Sequence, residues 1–155
     1  MFFTNKYFLF SIRIILGLIF IYSAITKMVD LNYFVKALEN YKILPQETLN
    51  LFALVIPWIE MIIGIFLLLG FFVKESALVG SIMAGIFIVA VITALTRGLN
   101  IDCGCFGTGD GSKVGIMKLI EDFIILLGFI WITLNGSEFL VIMKDKAQTN
   151  RPVPF

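Results

Sequence analysis

Cys103 and Cys105 are the only cysteines in a chain of 155 residues, and only Gly104 separates them. Such a pair has three readings. Two structural or unpaired thiols are the simplest. A metal centre is the second, but a structural zinc site needs about four ligands and the chain has no His to supplement two thiolates. The third is thiol–disulfide exchange. A Cys-x-Cys bridge closes so small a ring that its geometry departs from the relaxed range, which makes the bond strained and easily exchanged. Gly104 within the pair and Gly107 after it let the backbone take the conformations such a ring needs. Arg97 and the amino end of the helix that follows would stabilise a thiolate, while Asp102 opposes it. One pair holds one disulfide, so electrons must pass to an external thiol partner or a bound acceptor.

A second set of chemically useful residues sits inside apolar sequence. Arg13, Gly17, Phe20, Ala24 and Lys27 recur at steps of four and three, placing two cations and a glycine on one stripe of a helix; Ala53, Pro57, Glu60 and Gly64 make a similar stripe. Charges at bilayer depth cost at least ~2.5 kcal/mol each if they face lipid, so they should face inward and find partners. Arg13 with Glu60 is the expected pair. It reads either as a proton or quinone site or as an ion pair that fixes helix register. Lys27 lies near the end of its helix and is expected to snorkel to the interface. Glu121 and Asp122 follow Lys118, so that Lys118 would pair with Asp122 along the helix surface, or an acidic group would face a cavity beneath the cysteine segment.

The elements that must position these residues are membrane helices. Fifty-nine per cent of the chain is hydrophobic and 15% charged, against roughly 25% charged in an ordinary soluble domain, and its mean hydropathy is +0.99. Twelve basic and 11 acidic residues give a net charge of +1, which leaves no basic stripe for nucleic acid. A bilayer core of about 30 Å takes roughly 20 apolar residues per helix, and four stretches match: about 7–26, 51–73, 76–96 and 114–134. The first is read as a retained span, since Arg13 interrupts the apolar run and no cleavage pattern follows. Gly80, Ser81, Ala84 and Gly85 in the third predict close helix packing. Between the first two spans, Leu31, Phe34, Val35, Leu38 and Tyr41 recur at helical spacing, with Asp30 as N-cap and Pro45 as the stop. This predicts an amphipathic helix lying at the interface. The expected fold is thus all-α, an integral-membrane four-helix bundle with that interfacial helix, in one domain over residues 1–155.

Four spans put both termini on one side and the cysteine segment on the other, beside the interfacial helix. The basic residues divide evenly: Lys6, Arg13, Lys74, Lys144, Lys146 and Arg151 on one side, Lys27, Lys36, Lys42, Arg97, Lys113 and Lys118 on the other. Disulfide chemistry breaks the tie, placing the cysteine segment outside the cytosol and the termini in the cytoplasm.

The ordered set Arg13, Gly17, Phe20, Ser23, Lys27 and Asp30, then Phe34, Tyr41 and Leu44-Pro45, then Pro57-Trp58-x-Glu60, Gly64 and Gly70, and finally Asp102-Cys103-Gly104-Cys105-Phe106-Gly107 resembles the methylamine-utilisation MauE branch of the DoxX-like membrane proteins. The resemblance covers about residues 13–135. It implies a four-helix inner-membrane protein that assists maturation of an exported, disulfide-rich protein, as for the small subunit of methylamine dehydrogenase, and that works with a thioredoxin-like partner. Cys103 and Cys105 would be the reactive pair, supported by Arg97, Gly104, Phe106 and Gly107, in a component of a thiol–disulfide oxidoreductase. The alternative is a DoxX-like membrane subunit that binds a quinone near Arg13 and Glu60, the one cofactor the sequence suggests. Transport of a small solute has only the buried charges in its favour.

Overall fold

A computed structural model of the chain describes residues 6–43, 45–98 and 115–135. Five helices follow one another: α1 (Lys6–Val29), α2 (Leu31–Asn40), α3 (Gln46–Leu69), α4 (Val73–Thr96) and α5 (Ile116–Asn135). No strand occurs among the described residues. α1, α3 and α4 are each long and apolar enough to cross a bilayer. α5 has 20 residues, a length of about 30 Å, and carries Lys118, Glu121 and Asp122 in its first two turns.

The helices begin and end where local chemistry directs. α1 gives way to α2 at Asp30, whose carboxylate accepts the Tyr33 backbone N–H at 3.0 Å, the expected N-cap. α2 buries Phe34 and Ala37 and exposes Asn32, Lys36, Glu39 and Asn40, so it is amphipathic as its sequence implies. Pro45 caps α3, which starts five residues before the apolar run because Gln46, Glu47 and Thr48 extend the helix beyond it. The break between α3 and α4 lies at Gly70–Phe72, ahead of the Lys74-Glu75 pair that marks it in the sequence. Gly70 adopts φ 77°, and both its N–H and that of Phe71 donate to the Phe66 carbonyl, closing the helix.

Two antiparallel pairs make the bundle: α1 packs chiefly on α3, and α4 on α5. Both predicted stripes face inward and meet. Arg13, Gly17, Phe20, Ala24 and Lys27 are all buried, as are Ala53, Pro57, Glu60 and Gly64. Gly17 and Gly64 set their closest approach; a Cβ on Gly64 would sit 2.9 Å from the Gly17 carbonyl oxygen and 2.7 Å from Ile21. In α4 the small residues act differently from a backbone-to-backbone seam. Gly80 receives the Phe129 ring, which a Cβ would meet at 2.6 Å, while Gly85 faces open space. Phe129, wholly buried, stacks edge-on against Phe20 with centroids 4.8 Å apart and ties the two pairs together.

Because α1, α3, α4 and α5 alternate in direction, one end of the bundle collects the end of α1, all of α2, the start of α3, the end of α4 and the start of α5. Tyr41, Val91 and Ala94 form a small apolar core there, with Phe87 and Leu119 packed on it. Residues 98 and 115, which flank segment 99–114, lie at this end.

Candidate functional site

The buried charges organise a site at the end just described. Lys27 Nζ donates to Glu60 Oε1 at 2.5 Å and to Ser23 Oγ at 2.9 Å, and Ser23 Oγ donates to Glu60 Oε2 at 3.3 Å. The Phe34 ring of α2 lies 5.2 Å from Nζ and covers the ammonium. Lys27 is 4% exposed and Glu60 9%, so both charges are removed from solvent and satisfied by each other.

Glu60 therefore pairs with Lys27, against the expected Arg13–Glu60 pair, and Lys27 does not snorkel. Helix register explains both. With Gly17 opposite Gly64, Glu60 lies level with residue 21 of α1. Side chains tilt toward the amino end of their own helix, so Lys27 leans back toward Ser23 and Glu60 leans toward Lys27. Arg13 is 14 residues, about 21 Å, from Lys27 along α1, and the tilt of Glu60 takes its carboxylate away from it. Arg13 is 1% exposed, its guanidinium 4.9 Å from the Phe10 ring centroid. The Gly17–Gly64 pairing was the signal in the sequence that could have set this register.

A cavity of about 370 Å³ opens beside the cluster, near the lower end of the range for small-molecule sites. Its walls are apolar: Phe20 from α1, Phe34 and Leu38 from α2, Ile56 and Ile59 from α3, Met83 and Phe87 from α4, and Ile125 from α5. Its polar groups are Ser23, Lys27, Glu60, Tyr41 and Asp122. Lys118 makes its ion pair with Glu121 at 2.7 Å, while Asp122, on which Lys118 also acts electrostatically, lines the cavity. Its Oδ2 is buried and accepts no hydrogen bond among the described residues. Glu121 points outward, half exposed. Tyr41 was not singled out as a site residue; burial, and then the Asp122 carboxylate, raise its phenol above the ordinary range, so it stays protonated.

Arg97 caps α4 and is exposed, its Nη1 making a long hydrogen bond of 3.5 Å to the Lys42 carbonyl on the α2–α3 connection. Lys42 itself takes φ 51° as the chain turns there. The end of α4 is thereby tied to the α2–α3 connection. Cys103, Gly104, Cys105, Phe106 and Gly107 lie outside the described residues.

The profile of the family described as methylamine utilisation protein MauE matches residues 5–135. The chain belongs to the MauE family. With three long apolar helices, it is a membrane protein. Among its relatives, methylamine utilization protein MauE of Paracoccus denitrificans is 26% identical over 76% of this chain and 63% of its own length. The protein of the same name from Methylorubrum extorquens is 33% identical over 66% of this chain and 56% of its own. Protein TlpB of Flavobacterium psychrophilum is 28% identical over 66% of this chain and 30% of its own length. The chain thus spans less than two thirds of the length of each of these relatives. No solved structure matches it.

Proposed function

We propose that this MauE-family chain is a multi-pass component of the inner membrane that assists thiol–disulfide exchange and the maturation of an exported protein. In this reading α5 is the fourth span, with Lys118 and Asp122 turned into the bundle and Glu121 outward, and α2 lies at the extracytoplasmic interface. Both termini are cytoplasmic and the cysteine segment is extracytoplasmic, open to a thioredoxin-like partner or the client itself. Methylamine utilisation, the process in the relatives' names, is the setting in which such a client would be sought.

The observation that supports this most is position. The end of α4 at Arg97 and the start of α5, between which the cysteine segment lies in the sequence, are both at the α2 end, where the Lys27–Ser23–Glu60 cluster also sits. Exchange would proceed by attack of one thiolate on a partner disulfide, which releases one partner thiolate and leaves a mixed disulfide. The second cysteine then attacks the sulfur of the first and expels the partner sulfur still bound to it, so that the pair is oxidised as the partner gains two electrons and two protons. Cys103→Ser and Cys105→Ser variants, expressed in cells and quenched with acid and alkylating agent, test it. One of them should accumulate a mixed disulfide that a reductant dissolves on electrophoresis; failure of both to trap any partner would overturn the reading.

The cavity favours a second reading, a DoxX-like subunit that binds a quinone between helices. Its apolar walls and few convergent polar groups have the character of a small-molecule site. The polar end would be Lys27, Ser23, Glu60 and Asp122, with Arg13 outside it. Extraction of the purified protein should then yield bound or exchangeable quinone, and Glu60→Gln should reduce its occupancy; a quinone-free protein that takes none up would exclude this reading.

A further inference from the structure

The cavity is polar at one end only and leads away from water at the other. Near the α3–α4 turn these two helices share a core of Ile63, Leu67, Val73 and Ala77. Further from the turn their facing surfaces separate and line the cavity, with Val55 and Ile56 on one side and Ile86 and Phe87 on the other. Val55 is 40% exposed and Ile86 66% exposed, so the same side chains border both the cavity and the outside of the bundle. Each lies about 20 Å along its helix from the turn, at matching height and within a span that can cross a bilayer. In a bilayer-spanning bundle these positions would face acyl chains. Toward the α2 end the cavity is covered in part by Phe34, 3% exposed, and Tyr41, 4% exposed, while Ile43 on the α2–α3 connection, which also lines it, is 48% exposed.

From this we infer that the cavity is loaded sideways from the bilayer: a tailed, lipid-soluble quinone passes between α3 and α4, its ring reaching Lys27 and Asp122 while its tail stays beside Val55 and Ile86. The inference rests on the quinone reading and adds the route and the selectivity. About 370 Å³ accommodates a ring system and the first carbons of a tail, and the remainder of a long tail must leave through an apolar opening. The head groups suit both redox forms. Lys27 spends two of its three N–H groups on Glu60 and Ser23 and keeps one to donate to a quinone carbonyl. Asp122 Oδ2, buried and accepting no hydrogen bond among the described residues, would accept from a quinol hydroxyl. The seam itself offers a polar, water-borne solute no group to bind, because the residues named along it are hydrocarbon.

The experiment compares two probes on the full chain in lipid nanodiscs: 2-methyl-1,4-naphthoquinone, which has no tail, and the same ring carrying a four-unit isoprenoid tail. Val55→Trp and Ile86→Trp each narrow the seam from its outer side, where the bilayer can accept the larger ring, and Ile62→Trp places the same ring on an exposed α3 position that does not line the cavity. Circular dichroism confirms that each variant keeps its helices, and with two seam positions the test survives loss of one. At least one seam variant should weaken the tailed probe about tenfold while the tailless probe changes less than about twofold, and Ile62→Trp should change neither. Equal binding of the tailed probe by wild type and all folded seam variants would overturn lateral loading and leave the quinone reading standing. If wild type binds neither probe, for instance because a phospholipid acyl chain fills the cavity and is not displaced, the quinone reading fails and the route with it.

Discussion

Removing the Glu60 carboxylate while keeping Lys27 should be among the most damaging single changes in the bundle. Lys27 is 4% exposed and its ammonium is met by Glu60 at 2.5 Å, Ser23 at 2.9 Å and the Phe34 ring. In Glu60→Leu the charge loses its ion-pair partner and keeps one hydroxyl, one ring and the more distant Asp122 carboxylate across the cavity. Breaking a buried pair from one side typically costs ~3–5 kcal/mol. Replacing both partners, Lys27→Met with Glu60→Leu, removes the uncompensated charge and should cost little or even stabilise the fold, as buried pairs often do when exchanged for hydrocarbon. Unfolding in mixed SDS micelles, followed by far-ultraviolet circular dichroism, measures all three proteins. A Glu60→Leu variant as stable as the double variant would refute the view that this pair is buried and mutually satisfied. The double variant serves a second purpose, since a bundle that folds without the pair but no longer takes up quinone would assign the pair to binding.

Other consequences follow from the packing and from the α2 end. Gly64→Ala should loosen the α1–α3 contact and lower stability, because its Cβ would meet the Gly17 carbonyl at 2.9 Å, whereas Gly85→Ala meets nothing within 4 Å and should gain about 0.5–1 kcal/mol of helix propensity; the same SDS titration ranks them. Asp30→Ala, which removes the N-cap of α2, should cost about 1 kcal/mol and raise amide exchange at Tyr33 and Phe34 ahead of the other helices. In an alkaline titration read at the tyrosinate absorbance, Tyr41 should ionise above the ordinary phenol range, and Tyr41→Phe should delete that step. Since the unfolded chain releases this proton near pH 10 and the folded one only above that, the fold should lose stability as the pH rises beyond about 10, less so in Tyr41→Phe.

Much of the fold was legible because period and composition speak directly to burial. The 13-17-20-24-27 and 53-57-60-64 stripes are the α1–α3 contact face, and Asp30 caps the helix it was expected to cap. What the sequence hid was stagger. Arg13 and Lys27 share a stripe, and only the Gly17–Gly64 approach, with the tilt of side chains along each helix, decides which of them reaches Glu60. The cavity was hidden for a related reason: it exists because α3 and α4 part beyond their shared core, and divergence of two helices leaves no periodic mark. Asp122 illustrates the same limit, since Glu121 and Asp122 both stand within reach of Lys118 and the choice between them depends on which face of α5 the bundle covers.

The most direct test of disulfide exchange is thiol labelling of Cys103 and Cys105 in intact cells with a membrane-impermeant maleimide, before and after a mild reductant or oxidant is applied. An exchanging pair on the extracytoplasmic side predicts modification that rises on reduction, falls on oxidation, and vanishes only when both cysteines are replaced. Thiols that label only after the membrane is permeabilised, or to the same extent under reductant and oxidant, would contradict it.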